Sequence, residues 1–212
     1  MKNVTTVNHP LVQHKLSLLR DRNTPYWQFA NILEELTLIL AVEATRNLRL
    51  RSVSVETPLE TAYTQKLDEK VTLVPILRAG LGMVSGFKRI FPLARVGFLG
   101  LYRDEETLQP NHYYTSLPEA LNNDAVFLLD PMLATGGSVC YALVLLNRRH
   151  VDSLSVVSVI AAPEGIQFVH KHYPEVPIVT AAVDRELNDR GYILPGLGDA
   201  GDRIFGTMAG EV

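Results

Sequence analysis

Hydrophobic residues recur with a helical period near the amino terminus of the chain. After a short amphipathic segment, apolar residues return every three or four positions over a long stretch. The members of this series are Phe29, Leu33, Leu36, Leu40 and Ala44. The spacing predicts a long helix, with Thr24 as its cap and Pro25 in its first position. The next segment, "VSVETPLETAYTQKL", is strand-like but irregular and polar.

From about residue 71 onward, short apolar runs alternate with segments of helical period. The runs that predict buried strands are "VTLVPIL", "ARVGFLGLY", "AVFLLD", "LSVVSVIAA" and "PIVTAAVD". Helices are predicted between them, including one after Ser138. Strand–helix–strand repeats of this length favour an α/β fold with a parallel-sheet core and helices on both faces. No linker or repeat interrupts the pattern, so we expect a single domain over residues 1–212.

A charged residue stands at or just beyond the carboxyl end of each predicted strand. These residues are Arg78, Arg103, Asp130, Glu164 and Asp184. Parallel sheets bind their ligands beyond the carboxyl ends of the strands, so the five are candidates for one site. Strand ends also meet water and are often charged for that reason alone. That explanation covers any one of the five more easily than the whole set.

The segment "AVFLLDPMLATGGS" joins a buried strand to a turn of small residues. Its two glycines allow several backbone N–H groups to point at one place, and the positive end of the following helix adds to an anion site. Thr135 and Ser138 add hydroxyl donors, while Asp130 can accept hydrogen bonds from sugar hydroxyls. The segment lacks the lysine and the spacing of a Walker A loop, and it does not read GxGxxG. It therefore favours a site for a phosphorylated ribose.

Composition and charge narrow the possible partners. The chain has 20 Lys and Arg against 23 Asp and Glu, for a net charge of −3, and it shows no basic stripe. We therefore expect neither nucleic acid nor a membrane surface as a partner. The single cysteine, Cys140, lies within an apolar helical pattern and cannot form an internal disulfide. With no signal-peptide pattern at the start, a cytoplasmic location is expected.

The segment "VFLLDPMLATGGS" resembles the motif that binds 5-phosphoribosyl 1-diphosphate (PRPP) in type I phosphoribosyltransferases. It is most similar to the uracil phosphoribosyltransferase family, in which Asp-Pro replaces the two adjacent acids of most relatives. Further segments resemble that family in the same order, namely "VPILRAGLGM", "LYRDEETLQP", "AAPEG" and "GYILPGLGDAGDRIFGT". The resemblance spans roughly residues 71 to 207, and "NHPL" near the start also fits.

This resemblance implies a role for each segment. Arg78 and Arg103 would bind the diphosphate of PRPP, and Asp199 and Arg103 are the implied catalytic residues. The rest of the PRPP site would be Asp130, Pro131, Met132, Leu133, Ala134, Thr135, Gly136, Gly137 and Ser138, together with Asp199. Uracil would lie against Ile193, Gly198, Asp199 and Ala200, in a hood segment near the carboxyl terminus. The polar residues 104–118 would form a flap hairpin that closes over PRPP.

The implied reaction joins uracil to PRPP and gives UMP and diphosphate. Mg²⁺ would be carried mainly by PRPP, with no dedicated protein ligands. The resemblance also implies a homo-oligomer, a dimer or larger, and a possible GTP activator. The alternative is a phosphoribosyltransferase-like regulator that senses nucleotides and binds nucleic acid.

Overall fold

A computed structural model of the chain describes residues 2–103 and 110–207. The helices are α1 (Pro10–Arg20), α2 (Tyr26–Ala44), α3 (Val84–Ile90), α4 (Gly137–Asn147), α5 (Pro163–His172) and α6 (Ala200–Phe205), with a short 3-10 helix at Ala79–Met83. The strands are β1 (Val4–Thr6), β2 (Leu50–Glu56), β3 (Thr61–Leu67), β4 (Lys70–Leu77), β5 (Arg95–Val96), β6 (Phe98–Arg103), β7 (Pro110–Ser116), β8 (Asp124–Leu129), β9 (Met132–Leu133), β10 (Ser153–Ala161), β11 (Ile178–Val183), β12 (Glu186–Leu187) and β13 (Ile193–Leu194).

The central sheet is mostly parallel, as the alternating pattern predicts. Its strands lie in the order β1-β11-β10-β8-β4-β6-β7, and only β7 runs antiparallel to its neighbour. After β4 the chain adds β6 on one side and then returns to add β8 on the other. The carboxyl ends of β4 and β8 therefore flank a topological switch point, where open α/β sheets bind their ligands.

Helices cover both faces of this sheet. Successive residues of β8 alternate between two cores: Ala125, Phe127 and Leu129 pack with α1, α2 and α3, while Val126 and Leu128 pack with α4 and α5. This alternation is the period of a strand buried on both faces. The predicted fold class is confirmed.

Two local features explain segments that the sequence pattern left uncertain. Pro75 lies inside β4, at the break between the partners β5 and β6 on one side of that strand, so the missing proline N–H falls where pairing is interrupted. The polar segment after α2 forms the hairpin β2–β3, a separate two-stranded sheet that carries Leu59 and Tyr63 largely exposed.

The predicted start of α2 is wrong by one residue. The helix begins at Tyr26, and Pro25 precedes it as the cap residue without a side-chain cap. The Thr24 hydroxyl instead donates to the Leu18 carbonyl at 2.7 Å, which ties the α1–α2 connection together. None of the helices within the described parts of the chain is long and apolar enough to cross a membrane.

Candidate functional site

A cavity of about 210 Å³ opens at the carboxyl ends of β4 and β8. It is bounded on one side by the turn after β8 and on the other by the segment before α6. The lining residues are Ala79, Asp130, Met132, Leu133, Ala134, Thr135, Gly136, Ser138, Val139, Gly191, Tyr192, Asp199, Ala200 and Gly201. Most of the predicted phosphate loop and part of the predicted base segment therefore face the same space.

The predicted phosphate loop is built as its sequence suggests. Gly136 takes a positive φ of 82° and immediately precedes α4, whose positive end points toward the loop. The Thr135 hydroxyl accepts from the Gly137 N–H at 3.5 Å. Pro131 and Gly137 do not line the cavity; the Pro131 carbonyl accepts from the N–H groups of Val159 and Ile160, which holds the turn to β10.

The glycine of "AAPEG" fixes how closely α5 approaches this loop. A Cβ on Gly165 would lie 2.2 Å from the Ala134 carbonyl oxygen, and one on Gly136 would lie 2.8 Å from the Gly165 carbonyl oxygen. Both neighbours are backbone atoms, so neither can move aside cheaply. Glycine at position 165 therefore lets the start of α5 support the phosphate loop from beneath.

Asp130 has an unusual electrostatic environment for a carboxylate. Burial raises its pKa from 3.8 to about 7, the N–H of Met132 lowers it, and the negative charge of Asp199 raises it. The Met132 N–H donates to Asp130 Oδ1 at 3.3 Å. Near neutral pH the group is therefore balanced between its acid and carboxylate forms, as expected of a side chain held for a ligand.

The predicted base segment is a folded loop that leads into a short helix. Asp199 caps α6 by accepting from the Asp202 N–H at 2.9 Å, and Asp199 and Ala200 line the cavity. Gly198 takes a φ of 80°, which glycine adopts without strain. Ile193 packs in the core and Gly198 is exposed, and neither of these two predicted uracil contacts lines the cavity.

Asp184, which the sequence places at the strand ends, anchors this base segment. Its Oδ2 accepts from the Gly196 N–H at 2.9 Å, and its two oxygens accept from Arg20 at 2.8 and 2.5 Å. Arg20 also donates to the Gly196 carbonyl at 2.7 Å. Glu164 has a similar supporting role, because its Oε1 accepts from the Leu187 N–H at 3.1 Å.

Arg203 is a functional candidate that the sequence analysis missed. It is 7% exposed and donates to the carbonyls of Leu19, Asp21 and Leu197, while its guanidinium lies 4.3 Å from the ring centre of Phe29. Desolvation lowers its pKa, partly offset by Asp21. The signal in the sequence was an arginine directly before an apolar pair, Ile204 and Phe205.

The two arginines assigned to diphosphate differ in what the structure describes. Arg78 follows β4 and pairs with Asp202 at 3.1 Å, with a second, longer contact of 3.5 Å to the Thr207 hydroxyl. A Cβ on Gly201 would lie 3.8 Å from Arg78 Nη2, so this guanidinium stands beside the cavity wall. Arg103 ends β6, but its side chain lies outside what the structure describes, as do residues 104–109 of the predicted flap. Residues 110–116 of that flap form β7, which pairs antiparallel with β6.

In the part of the chain that the structure describes, the potential metal ligands do not form a cluster. Among residues 2–103 and 110–207, no three His, Cys, Asp or Glu side chains cluster as metal ligands would. Burial raises the pKa of Cys140 to about 11, so the thiol stays protonated. It is a packing residue of α4, as its place in the apolar pattern indicates.

Comparison with known proteins identifies the family. A sequence model described as uracil phosphoribosyltransferase matches residues 6–207. A protein of Thermoanaerobacter sp. named uracil phosphoribosyltransferase is 50% identical over 207 residues, which is 97% of this chain and 99% of that protein. One of the same name from Salinibacter ruber is also 50% identical, over 98% of this chain and 99% of its own length.

Solved structures agree with this assignment at the level of fold. A protein from Aquifex aeolicus superposes with a TM-score of 0.93 at 40% identity, covering 97% of this chain and 99% of that one. An adenine phosphoribosyltransferase from Trypanosoma brucei shares the fold more distantly, with a TM-score of 0.59 at 13% identity over 94% and 89% of the two chains. The chain belongs to the uracil phosphoribosyltransferase family.

Proposed function

We propose that this protein transfers the 5-phosphoribosyl group of PRPP to N1 of uracil, giving UMP and diphosphate. One observation carries the proposal: the phosphate loop after β8 and the base segment before α6 line opposite sides of one cavity. A phosphoribosyl donor and a flat base can then meet between them. The membership of the chain in the uracil phosphoribosyltransferase family supports the choice of base.

The phosphoribosyl half of the substrate binds the turn after β8. Backbone N–H groups near Gly136 and the positive end of α4 receive the 5-phosphate, with the hydroxyls of Thr135 and Ser138 as further donors. Asp130 accepts from the ribose hydroxyls as a carboxylate. The supports of this loop from β10 and α5 keep its donors in place before the substrate arrives.

The base half is read by backbone groups of the segment from Ile193 to Ala200. Uracil presents two carbonyl acceptors on either side of an N–H donor, a pattern that fixed backbone donors and acceptors can match. Cytosine replaces one acceptor by a donor and the donor by an acceptor. Each resulting mismatch leaves a buried polar group unpaired and costs about 1–3 kcal/mol.

The chemical difficulty is breaking the bond between ribose C1 and the diphosphate oxygen. The transition state has the character of an oxocarbenium ion, as in glycoside cleavage. Arg78 and Arg103 stabilise the negative charge of the departing diphosphate, and Asp199 is the carboxylate nearest the reacting carbon. The base segment holds uracil N1 in line for attack, and the flap excludes water from the cation.

The residues present fit a magnesium ion that is carried by the substrate. Among the described residues that line the cavity, Asp130 and Asp199 are the two carboxylates, and the charge of Asp199 raises the pKa of Asp130. Mg²⁺ is usually held by one or two carboxylates together with substrate phosphates and water. When bound with PRPP, the ion would neutralise charge on the leaving diphosphate.

Two further properties follow from the family resemblance, and we include them in the proposal. The protein forms a homo-oligomer, for which the exposed Leu59 and Tyr63 of the β2–β3 hairpin offer apolar surface. GTP is the proposed activator. The alternative of a nucleic-acid-binding regulator has no comparable support, since the curated relatives described above are named as enzymes.

The experiment incubates the protein with PRPP, Mg²⁺ and each free nucleobase in turn, and detects the nucleotide formed. With uracil, we expect UMP to form and diphosphate to be released in an equal amount. Asp130→Ala should remove most of this activity, whereas Asp152→Asn, a change to an exposed acid on the loop before β10, should not. Formation of another nucleotide in place of UMP, or retention of nucleic acid without turnover, would contradict the proposal.

A further inference from the structure

We propose that Arg20 and Asp184 are positioning residues that set the orientation of the base segment and so determine how well uracil is bound. The inference rests on the proposed function, because it concerns the base half of that site. Neither residue lines the cavity, so any effect on uracil must act through the backbone they hold.

Arg20 and Asp184 bind the two backbone polar groups of one residue, Gly196. Asp184 accepts from its N–H at 2.9 Å, and Arg20 donates to its carbonyl at 2.7 Å. The two side chains also form a bidentate ion pair with each other, at 2.8 and 2.5 Å. A donor and an acceptor fixed on the same residue leave little freedom for the peptide planes to rotate.

The place of Gly196 in the base segment makes that constraint relevant to the ligand. It lies between Ile193 and Gly198, the two positions assigned to uracil outside the cap of α6. The loop folds back tightly here: Gly196 has a φ of 65°, and a Cβ on it would lie 2.2 Å from the Ile193 carbonyl oxygen. A rotation at Gly196 would therefore move the backbone groups on both sides of it.

A second attachment connects the base segment to the carboxyl end of α1. Arg203 joins the Leu197 carbonyl to the carbonyls of Leu19 and Asp21, the two neighbours of Arg20 in sequence. The carboxyl end of α1 thus holds the base segment through both arginines. The phosphate loop is supported separately, by β10 and the start of α5.

The separation of these supports gives the inference its distinctive consequence. A change at Arg20 or Asp184 should weaken uracil binding and leave PRPP binding almost unaltered. A residue that only stabilised the fold would lower the amount of active protein, which reduces the apparent kcat without changing either KM. The ratio of the two KM effects therefore separates positioning from general stabilisation.

The test compares Arg20→Lys and Asp184→Asn with Arg46→Lys. A lysine keeps the charge but cannot span two carboxylate oxygens and a carbonyl at once, because its donors share one nitrogen. Arg46 lies in the exposed turn after α2, where it pairs with Glu43 of that helix, and it serves as the matched control. We expect KM for uracil to rise about tenfold or more in both site variants, since small misplacements of substrate contacts carry effects of this size.

The same assays fix the remaining outcomes. KM for PRPP should stay within about twofold, and Arg46→Lys should match the parent protein in both constants. Equal changes in both KM values, or changes in kcat alone, would overturn the inference. If Asp184→Asn does not fold, Arg20→Lys, which keeps a cation beside Asp184, decides the question. Failure of the parent protein to form UMP would instead reject the proposed function.

Discussion

Replacing Asp130 by asparagine should stabilise the unliganded protein while it damages catalysis. The carboxyl has a pKa of about 7 in the folded protein, chiefly because burial disfavours its charged form, against 3.8 when it is exposed. A pKa raised by folding means that ionisation is harder in the folded state than in the unfolded chain. The native protein is thus penalised wherever the unfolded chain has lost this proton, and Asn removes the penalty.

The size of the effect follows from the two pKa values. At about 1.36 kcal/mol for each pKa unit, the full penalty is about 4 kcal/mol above pH 7. Asn keeps an acceptor for the Met132 N–H. Two effects make the expected gain smaller than the full penalty: the new amide must be hydrated, and Asp130 retains some solvent contact. We therefore expect Asp130→Asn to raise the free energy of unfolding by about 2–4 kcal/mol at pH 8.

The pH dependence distinguishes this mechanism from improved packing. The penalty vanishes below the unfolded pKa and grows as pH rises toward the folded one, so the advantage of Asn should be about half as large at pH 5.5 as at pH 8. Urea unfolding at both pH values, without substrates or phosphate, measures the difference in the free energy of unfolding between the variant and the parent protein. Asp152→Asn is the control, for which a change within about 0.5 kcal/mol is expected. An Asp130→Asn protein that is no more stable than the parent at pH 8 would refute the reasoning.

Three further predictions concern the two halves of the site. Gly165→Ala places a Cβ against the Ala134 carbonyl, so KM for PRPP in steady-state kinetics should be about tenfold higher and the melting temperature should be lower. Unchanged values would mean that α5 does not support the phosphate loop. The kcat/KM for PRPP should fall as pH drops below about 7, because protonated Asp130 is a poorer acceptor for ribose hydroxyls, and Asp130→Asn should lack this dependence. The same fall at low pH in that variant would assign the titration to another group. Gly198→Val must adopt a φ of 80° that valine disfavours, so KM for uracil should rise at least tenfold, while the affinity for PRPP measured by calorimetry should stay within twofold of the parent protein. Equal losses of uracil and PRPP binding would contradict separate supports for the base segment and the phosphate loop.

The sheet and the turn of small residues after β8 were predictable because local sequence determines both. Apolar runs alternate with helical segments over the core. The pair Gly136–Gly137 disfavours the interior of a strand or a helix, because ordering glycine costs conformational entropy, and so it marks the turn between β8 and α4. The same reasoning placed Asp130 at a strand end, and the structure finds it there, on the cavity. Its raised pKa depends on burial by distant segments and could not be read from its neighbours.

The supports of the base segment were not predictable for a related reason. Arg20 and Asp184 are 164 positions apart in sequence, and Arg203 reaches Leu19 across 184 positions. No periodicity links such residues, and a charged residue near a strand end is usually solvated. Asp184 was predicted at the correct edge of the sheet, but only the folded chain shows that it holds Gly196. The one-residue error at the start of α2 is of another kind, because a Thr-Pro pair permits more than one helix start.

The most direct test of the central claim is a paired assay with uracil and cytosine at equal concentration, in the presence of PRPP and Mg²⁺. A rigid backbone that reads acceptor, donor and acceptor leaves two groups unpaired with cytosine. At about 1–3 kcal/mol for each group, or at least about 2 kcal/mol in total, the account predicts that uracil is preferred by at least about 30-fold in kcat/KM. Comparable rates for the two bases would contradict backbone reading and, with it, the proposed substrate.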